Sequence, residues 1–385
     1  DKLASAFTQA VDLKGRIGVA LVHSDESEQR YLHELASAAG LVRLYAHERE
    51  KVNERSLVAA RQMKASGRKV FVALVQDRAS VRDPARWRAF VDRWVPQLRG
   101  VADHLEIGHA VNRVKWGIWE AREYRALVEP VVSAARGQIP LCGPGVIDFE
   151  YHYLPAFLRE VSAGAFAALS HHLYVDRRGA PENRQGRFAA LEKFALAKAI
   201  AGWSDAVAGD RLIVSEVNWP VLGTGEFSPV NSPYIIPGSH SNDPSVDEET
   251  YADYMIRYYA LALCSGLVDD VYWWGLAARG FGLVDDTDPE AWRPRPAYRA
   301  LQVFIRELGE ARFVERMPAP AGTWALRFER AGKPPVILAW AHPEAADFQA
   351  PFVLAGVLDR DGAEQATDPR RAIHLSGRPC YLIGN

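Results

Sequence analysis

The chain has 385 residues, 48% hydrophobic and 24% charged, enough for a large buried core built as one barrel-sized unit with a small companion. Its net charge is −2 with acids and bases interspersed, which gives no support to a nucleic-acid or membrane-surface partner, and no apolar run approaches the roughly 20 residues of a membrane span. Cys142, Cys264 and Cys380 lie far apart in apolar stretches and read as buried thiols; no metal-ligand spacing is present, so neither a metal nor another cofactor is expected. The odd cysteine count leans toward a reducing, cytoplasmic location, and the opening Asp1 places the native start upstream.

Apolar runs then alternate with amphipathic stretches. GRIGVALVH (15–23) precedes a helix over 27–40, LVRLYAH (41–47) one over 53–67, and KVFVALVQD (69–77) one over 84–100. ADHLEIGHAVN (102–112) precedes a helix over 116–137, IPLCGPGVIDF (139–149) one over 154–164, and FAALSHHLYVD (166–176) one over 186–203. RLIVSEVNWP (211–220) precedes a long loop and a helix over 246–266; VDDVYWWGL (268–276) precedes a helix over 295–309. The strands show little polar alternation, as strands buried on both faces do. Gly40, Gly67, Gly100, Gly137, Gly164 and Gly266 are placed to stop helices. Eight such units predict an α/β fold, a (β/α)8 TIM barrel over residues 1–310. From about 311 onward RFVERM, TWALRFER, PPVILAWAH, FVLAGVLD and PCYLIGN read as short strands of a small C-terminal β subdomain, 311–385, packed on the barrel.

Such barrels carry their sites at the C-terminal ends of the strands. Strand seven ends in Glu216, between apolar neighbours, where a carboxylate can attack an anomeric carbon. Arg43, inside apolar strand two, needs a partner, and Glu216 is the expected one. His172 and Tyr174 share a face at the end of strand six. Trp274, at the end of strand eight, is expected to floor a sugar pocket, with Trp273 packing outward. Asn218 and Trp219 follow Glu216 and are further candidate sugar contacts. Of the eleven tryptophans, Trp87, Trp94, Trp119 and Trp203 are expected in ordinary packing.

Together these residues resemble the clan A glycoside hydrolases, retaining barrel enzymes that include families 5 and 39. The resemblance spans residues 15–310 and implies that Glu216 is the nucleophile. It also implies an Asn-Glu pair at the tip of strand four, the Glu acting as acid/base. Here LEIGHAVN (105–112) stands in that place, and His109 and Ala110 replace the pair. Ala110 cannot transfer a proton. Glu106, about 13 Å below Ala110 along an extended strand, reads as a barrel-core carboxylate paired to a neighbouring strand. His109 reads mainly as a sugar contact. Asp148 and Glu150, just past strand five among aromatic residues, are the expected displaced acids. Asn112, Arg113, Lys115, Arg177 and Arg178 form a basic rim that suits an anionic sugar. Loop 221–245 would wall the pocket, with Tyr234 as a stacking residue.

The expected function is therefore glycosidic-bond cleavage in a polysaccharide or surface glycan. The alternative is a sugar-binding barrel without turnover. A third reading, an unrelated barrel enzyme, lacks a phosphate loop or metal-ligand set.

Overall fold

A computed structural model describes residues 2–47, 50–174, 179–224, 245–366, 368 and 371–385. Eight parallel strands close into a barrel: β1 (Ile17–Ala20), β2 (Ala39–Tyr45), β3 (Val70–Val75), β4 (His104–Ile107), β5 (Leu141–Ile147), β6 (Ala168–His172), β7 (Leu212–Val217) and β8 (Asp270–Trp274). Neighbours in sequence are neighbours in the barrel, and β1 closes on β8 with Ile17 opposite Val271. Nearly every strand residue is buried, because side chains face either the lumen or the surrounding helices. Leu41, Phe71, Cys142, Ile213, Tyr272 and Trp274 help fill the lumen. Gly18 admits the Tyr272 ring; a Cβ there would lie 2.4 Å from it.

The helices α1 (Glu26–Glu34), α2 (Glu50–Ala65), α3 (Arg78–Arg82), α4 (Pro84–Trp94), α5 (Glu123–Ala135), α6 (Tyr153–Leu158), α7 (Ala190–Trp203), α8 (Glu248–Cys264) and α9 (Pro296–Leu308) follow the strands. Their starts are written in the sequence: Asp25, Asp83 and Asp247 each cap a helix by accepting from backbone N–H groups of its first turn. Five of the six expected helix-stop glycines are left-handed. Gly40 is the exception. Helix α1 ends earlier, at Glu34, and Gly40 lies in β2, where a Cβ would meet the Met63 sulfur at 2.0 Å. Helix α5 starts at Glu123, later than expected. Trp119 (63% exposed) and Trp203 (67% exposed) stand on the surface, whereas Trp87 and Trp94 are buried as expected. No helix of the described residues is long and apolar enough to cross a membrane.

Beyond the barrel the chain forms β9 (Arg312–Arg316), β10 (Thr323–Arg330), β11 (Lys333–Ala341), β12 (Leu354–Asp359) and β13 (Cys380–Gly384). They belong to a seven-stranded antiparallel sheet that also takes Val11–Asp12 and Glu364–Gln365 at its edges. Phe313, Phe328, Leu338, Trp340 and Tyr381 put one face of this sheet into the main core with α8 and α9. Polar contacts fix the seat: Trp340 Nε1 donates to Glu182 (2.7 Å), which also holds Arg257, and Arg360 binds Asp253 (2.7 Å) and Glu249 (2.6 Å).

His104, at the start of β4, is buried with neither ring nitrogen hydrogen-bonded. Burial, aided by Lys69 and Arg211, pushes its imidazole down to about 4. An unfolded histidine takes up its proton near pH 6.5, so between 6.5 and 4 the unfolded chain binds more protons and stability falls with pH. His104→Leu is expected to remove on the order of 3 kcal/mol of that loss at pH 4 and little at pH 8. Denaturant unfolding at both pH values checks this; parallel pH profiles for the two proteins would refute it.

Candidate active site

The tips of β2, β4, β6, β7 and β8 converge on one buried carboxylate. Glu216 is 1% exposed and forms an ion pair with Arg43 through its Oε2. Tyr174 donates its hydroxyl to Oε1 at 2.6 Å. Nδ1 of His172 lies 3.8 Å from Oε2. The Arg43 guanidinium also stacks on Trp274, 3.5 Å from the ring centroid. Burial alone would raise the Glu216 carboxyl, but Arg43, His172 and the Tyr174 hydroxyl outweigh it and hold the group below its ordinary value.

Behind His172 lies a second buried carboxylate. Glu106 Oε2 is 3.4 Å from His172 Nε2, and Ser215 donates to Glu106 Oε1 at 2.6 Å. Glu106 is thus paired across the lumen to β6 and β7, not to β3 or β5, the strands beside β4, and one imidazole separates it from Glu216. Past Glu106 the chain does not stay extended: Gly108 has φ +87° and Ala110 φ +42°.

His109 follows that turn. Gln76 grips its backbone twice, accepting from His109 N–H (2.8 Å) and donating to its carbonyl (2.9 Å). Its ring lies edge-on to Trp116 (4.4 Å between centroids) and beside His172 (4.8 Å). Burial, then Arg43 and His172, drive its imidazole well below the usual value, so the ring is neutral. Ala110 is fully buried against Ile147, Tyr174 and Trp116.

The strand-five carboxylates lie just past their strand, tied to the loop that follows β4. Arg113 binds both, Asp148 at 2.6 Å and Glu150 at 2.7 Å. Asn112 clips the same loop, donating to Glu150 (2.8 Å) and pairing with the Ile147 backbone. Asn218 is buried and donates to the Trp274 carbonyl. Trp219 turns away: it stacks on Trp273 (5.9 Å) between barrel and helices and donates to the Gly179 carbonyl at 3.0 Å. Of the basic rim, Arg113 is committed to Asp148 and Glu150, and Lys115 hovers over Trp116 (5.5 Å). Arg177, Arg178 and Tyr234 lie outside the described residues. Gln76, Trp116 and Ser215 were not anticipated; the polar residue closing the apolar run VFVALVQ was the signal for Gln76.

Arg43→Met is expected to destabilise the fold by about 3–5 kcal/mol, because it leaves Glu216 buried without its cation. The Arg43→Met/Glu216→Gln pair should recover most of that loss in denaturant unfolding. No recovery would mean that Arg43 matters through its packing on Trp274 alone.

No family model matches the sequence, and no curated protein does. Solved structures do. The catalytic domain of GH30 xylanase C from Talaromyces cellulolyticus superposes with a TM-score of 0.60 at 10% identity, covering 99% of either chain, C-terminal sheet included. The family 1 β-glucosidase from Thermotoga maritima gives a TM-score of 0.51 at 10% identity over 74% of this chain and 87% of that one. At such identity the likeness is one of fold, and the fold is the (β/α)8 barrel with an added β-sheet that the sequence predicts.

Proposed function

We propose that this protein is a glycoside hydrolase acting on a polysaccharide or surface glycan, with Glu216 as its nucleophile. One observation carries the reading: a buried carboxylate at the C-terminal end of a barrel strand, clamped by Arg43 and Tyr174 beside an aromatic floor, Trp274. Attack by Glu216 on the anomeric carbon forms a glycosyl ester and breaks the bond to the leaving oxygen, which departs with the electron pair. Water then cleaves the ester, and the configuration is retained.

The leaving group's proton is the distinctive part. Asp148 and Glu150 are committed to Arg113, and the Ala110 position is closed by apolar packing. We therefore assign no carboxylic acid to this step. The leaving sugar oxygen of a polysaccharide then takes its proton from solvent, whereas a leaving group that departs as a stable anion needs none. Loss of Arg113 to that ion-pair cluster weakens the case for an anionic sugar.

The closed packing at Ala110 favours one second reading, a sugar-binding barrel without turnover. A panel of dinitrophenyl glycosides, with wild type beside Glu216→Gln, separates the two. Turnover that depends on Glu216 supports the hydrolase; glycan binding with no turnover on any member supports the binder.

A further inference from the structure

His109, His172 and Glu216 come from three different strand tips, yet one ligand atom of each lies within 4.8 Å of the other two. All three are buried, with exposures of 1%, 0% and 1%. Nδ1 of His109 and Nδ1 of His172 are both buried without a hydrogen-bond partner. Buried polar atoms are nearly always satisfied, and two orphans beside one carboxylate are what a ligand held between them would satisfy.

The tautomer of His172 sharpens the point. Nε2 faces Glu106 and must carry a proton to donate to it. Nδ1, on the other side of the ring, faces the Glu216 carboxylate at 3.8 Å.

We propose that these three side chains bind one divalent first-row transition ion. Two imidazoles and a carboxylate are the ligand set of open, three-protein-ligand zinc sites, and imidazole selects such ions over Mg²⁺. Tetrahedral coordination sets ligand atoms about 3.3 Å apart, so side-chain shifts of roughly 1–1.5 Å close the site. Glu106 behind His172 is the outer carboxylate that orients a ligating histidine, and Gln76 fixes the backbone of His109. Charge agrees. Glu106 and Glu216 against Arg43 leave the buried cluster one negative charge; a zinc ion carrying a solvent hydroxide brings it to zero. His109 supplies the second imidazole, in the stretch where the resembling hydrolases read Asn-Glu. Ion and glycoside compete for Glu216.

The test needs no substrate. Chelator-stripped full-length protein is titrated with Zn²⁺ by calorimetry, with Co²⁺ by visible absorption, and with Mg²⁺. One Zn²⁺ per chain, a four-coordinate Co²⁺ spectrum and no Mg²⁺ uptake are expected. His109→Asn leaves the other ten histidines in place and should lose stoichiometric binding, with its fold verified by near-UV circular dichroism. Glu106→Gln, a positioning change, should weaken Zn²⁺ roughly 10–100-fold. Absence of stoichiometric Zn²⁺ in the wild type would overturn the proposal and leave a proton on His172 Nδ1 bridging the gap. Undiminished binding in His109→Asn would overturn it equally, by moving the ion to surface histidines. Either result leaves the hydrolase reading standing.

Discussion

Glu216→Gln is expected to lower turnover of any dinitrophenyl glycoside the protein cleaves by at least roughly 10⁴-fold, about 5.5 kcal/mol of transition-state stabilisation. The substitution keeps the shape of the side chain, but its one amide oxygen can accept from only one of Arg43 and Tyr174, and it removes the charge that attacks carbon. Dinitrophenolate leaves without protonation, so this substrate reads the nucleophile alone, whatever supplies protons elsewhere. The effect should fall on the bond-forming step: a wild-type burst of dinitrophenol, if present, disappears in the variant. Arg43 remains near Glu106, which helps offset its charge, so the variant is expected to fold; thermal melting and circular dichroism verify that. Turnover within tenfold of wild type in a folded variant would sink the assignment of Glu216. The assay is run in chelator, so that an ion on Glu216 cannot mimic the loss.

Much of this site was legible before the fold was known, and the reason is geometric. Barrel strands end on one face, so polar residues at the ends of apolar runs meet. Arg43, His172, Tyr174, Glu216 and Trp274 were read that way, and they do converge. Trp219 shows the rule applied too loosely. Side chains alternate along a strand; Glu216 and Asn218 face the lumen, so Val217 and Trp219 face the helices, as Trp273 does beside Trp274. Parity alone would have excluded Trp219. Gly40 failed for another reason: a glycine that ends a helix and one that admits a packed sulfur are the same letter in a sequence. The pairing of Arg113 with Asp148 and Glu150 joins two loops, and nothing local encodes it. Glu106 pairs across the lumen with His172 and Ser215, not with a neighbouring strand, because a side chain facing the barrel interior meets residues of several strands that the apolar pattern of its own strand does not name.

The leaving group should decide rates far more steeply here than in a hydrolase with a working acid. From dinitrophenyl to alkyl glycosides of the same sugar, kcat/KM is expected to fall by the full intrinsic difference in leaving ability. A positioned acid normally offsets roughly 10²–10⁴ of that, and among the described residues the tip of β4 carries none in the place where such an acid is expected. Ala110 presents a methyl group in apolar packing; Asp148 and Glu150 hold a guanidinium. On the proposed mechanism the second step is slow as well, since no carboxylate among the described residues is assigned to activate the water. Azide needs no base. It should therefore accelerate wild-type turnover of the dinitrophenyl glycoside and yield a glycosyl azide of retained configuration, the product of two successive inversions. Asp148→Asn and Glu150→Gln should change good and poor substrates alike, through the loop that Arg113 ties together. A selective loss on alkyl glycosides in either variant would identify that residue as the acid after all. A flat leaving-group dependence in the wild type, with no response to azide, would show that a proton donor acts from elsewhere.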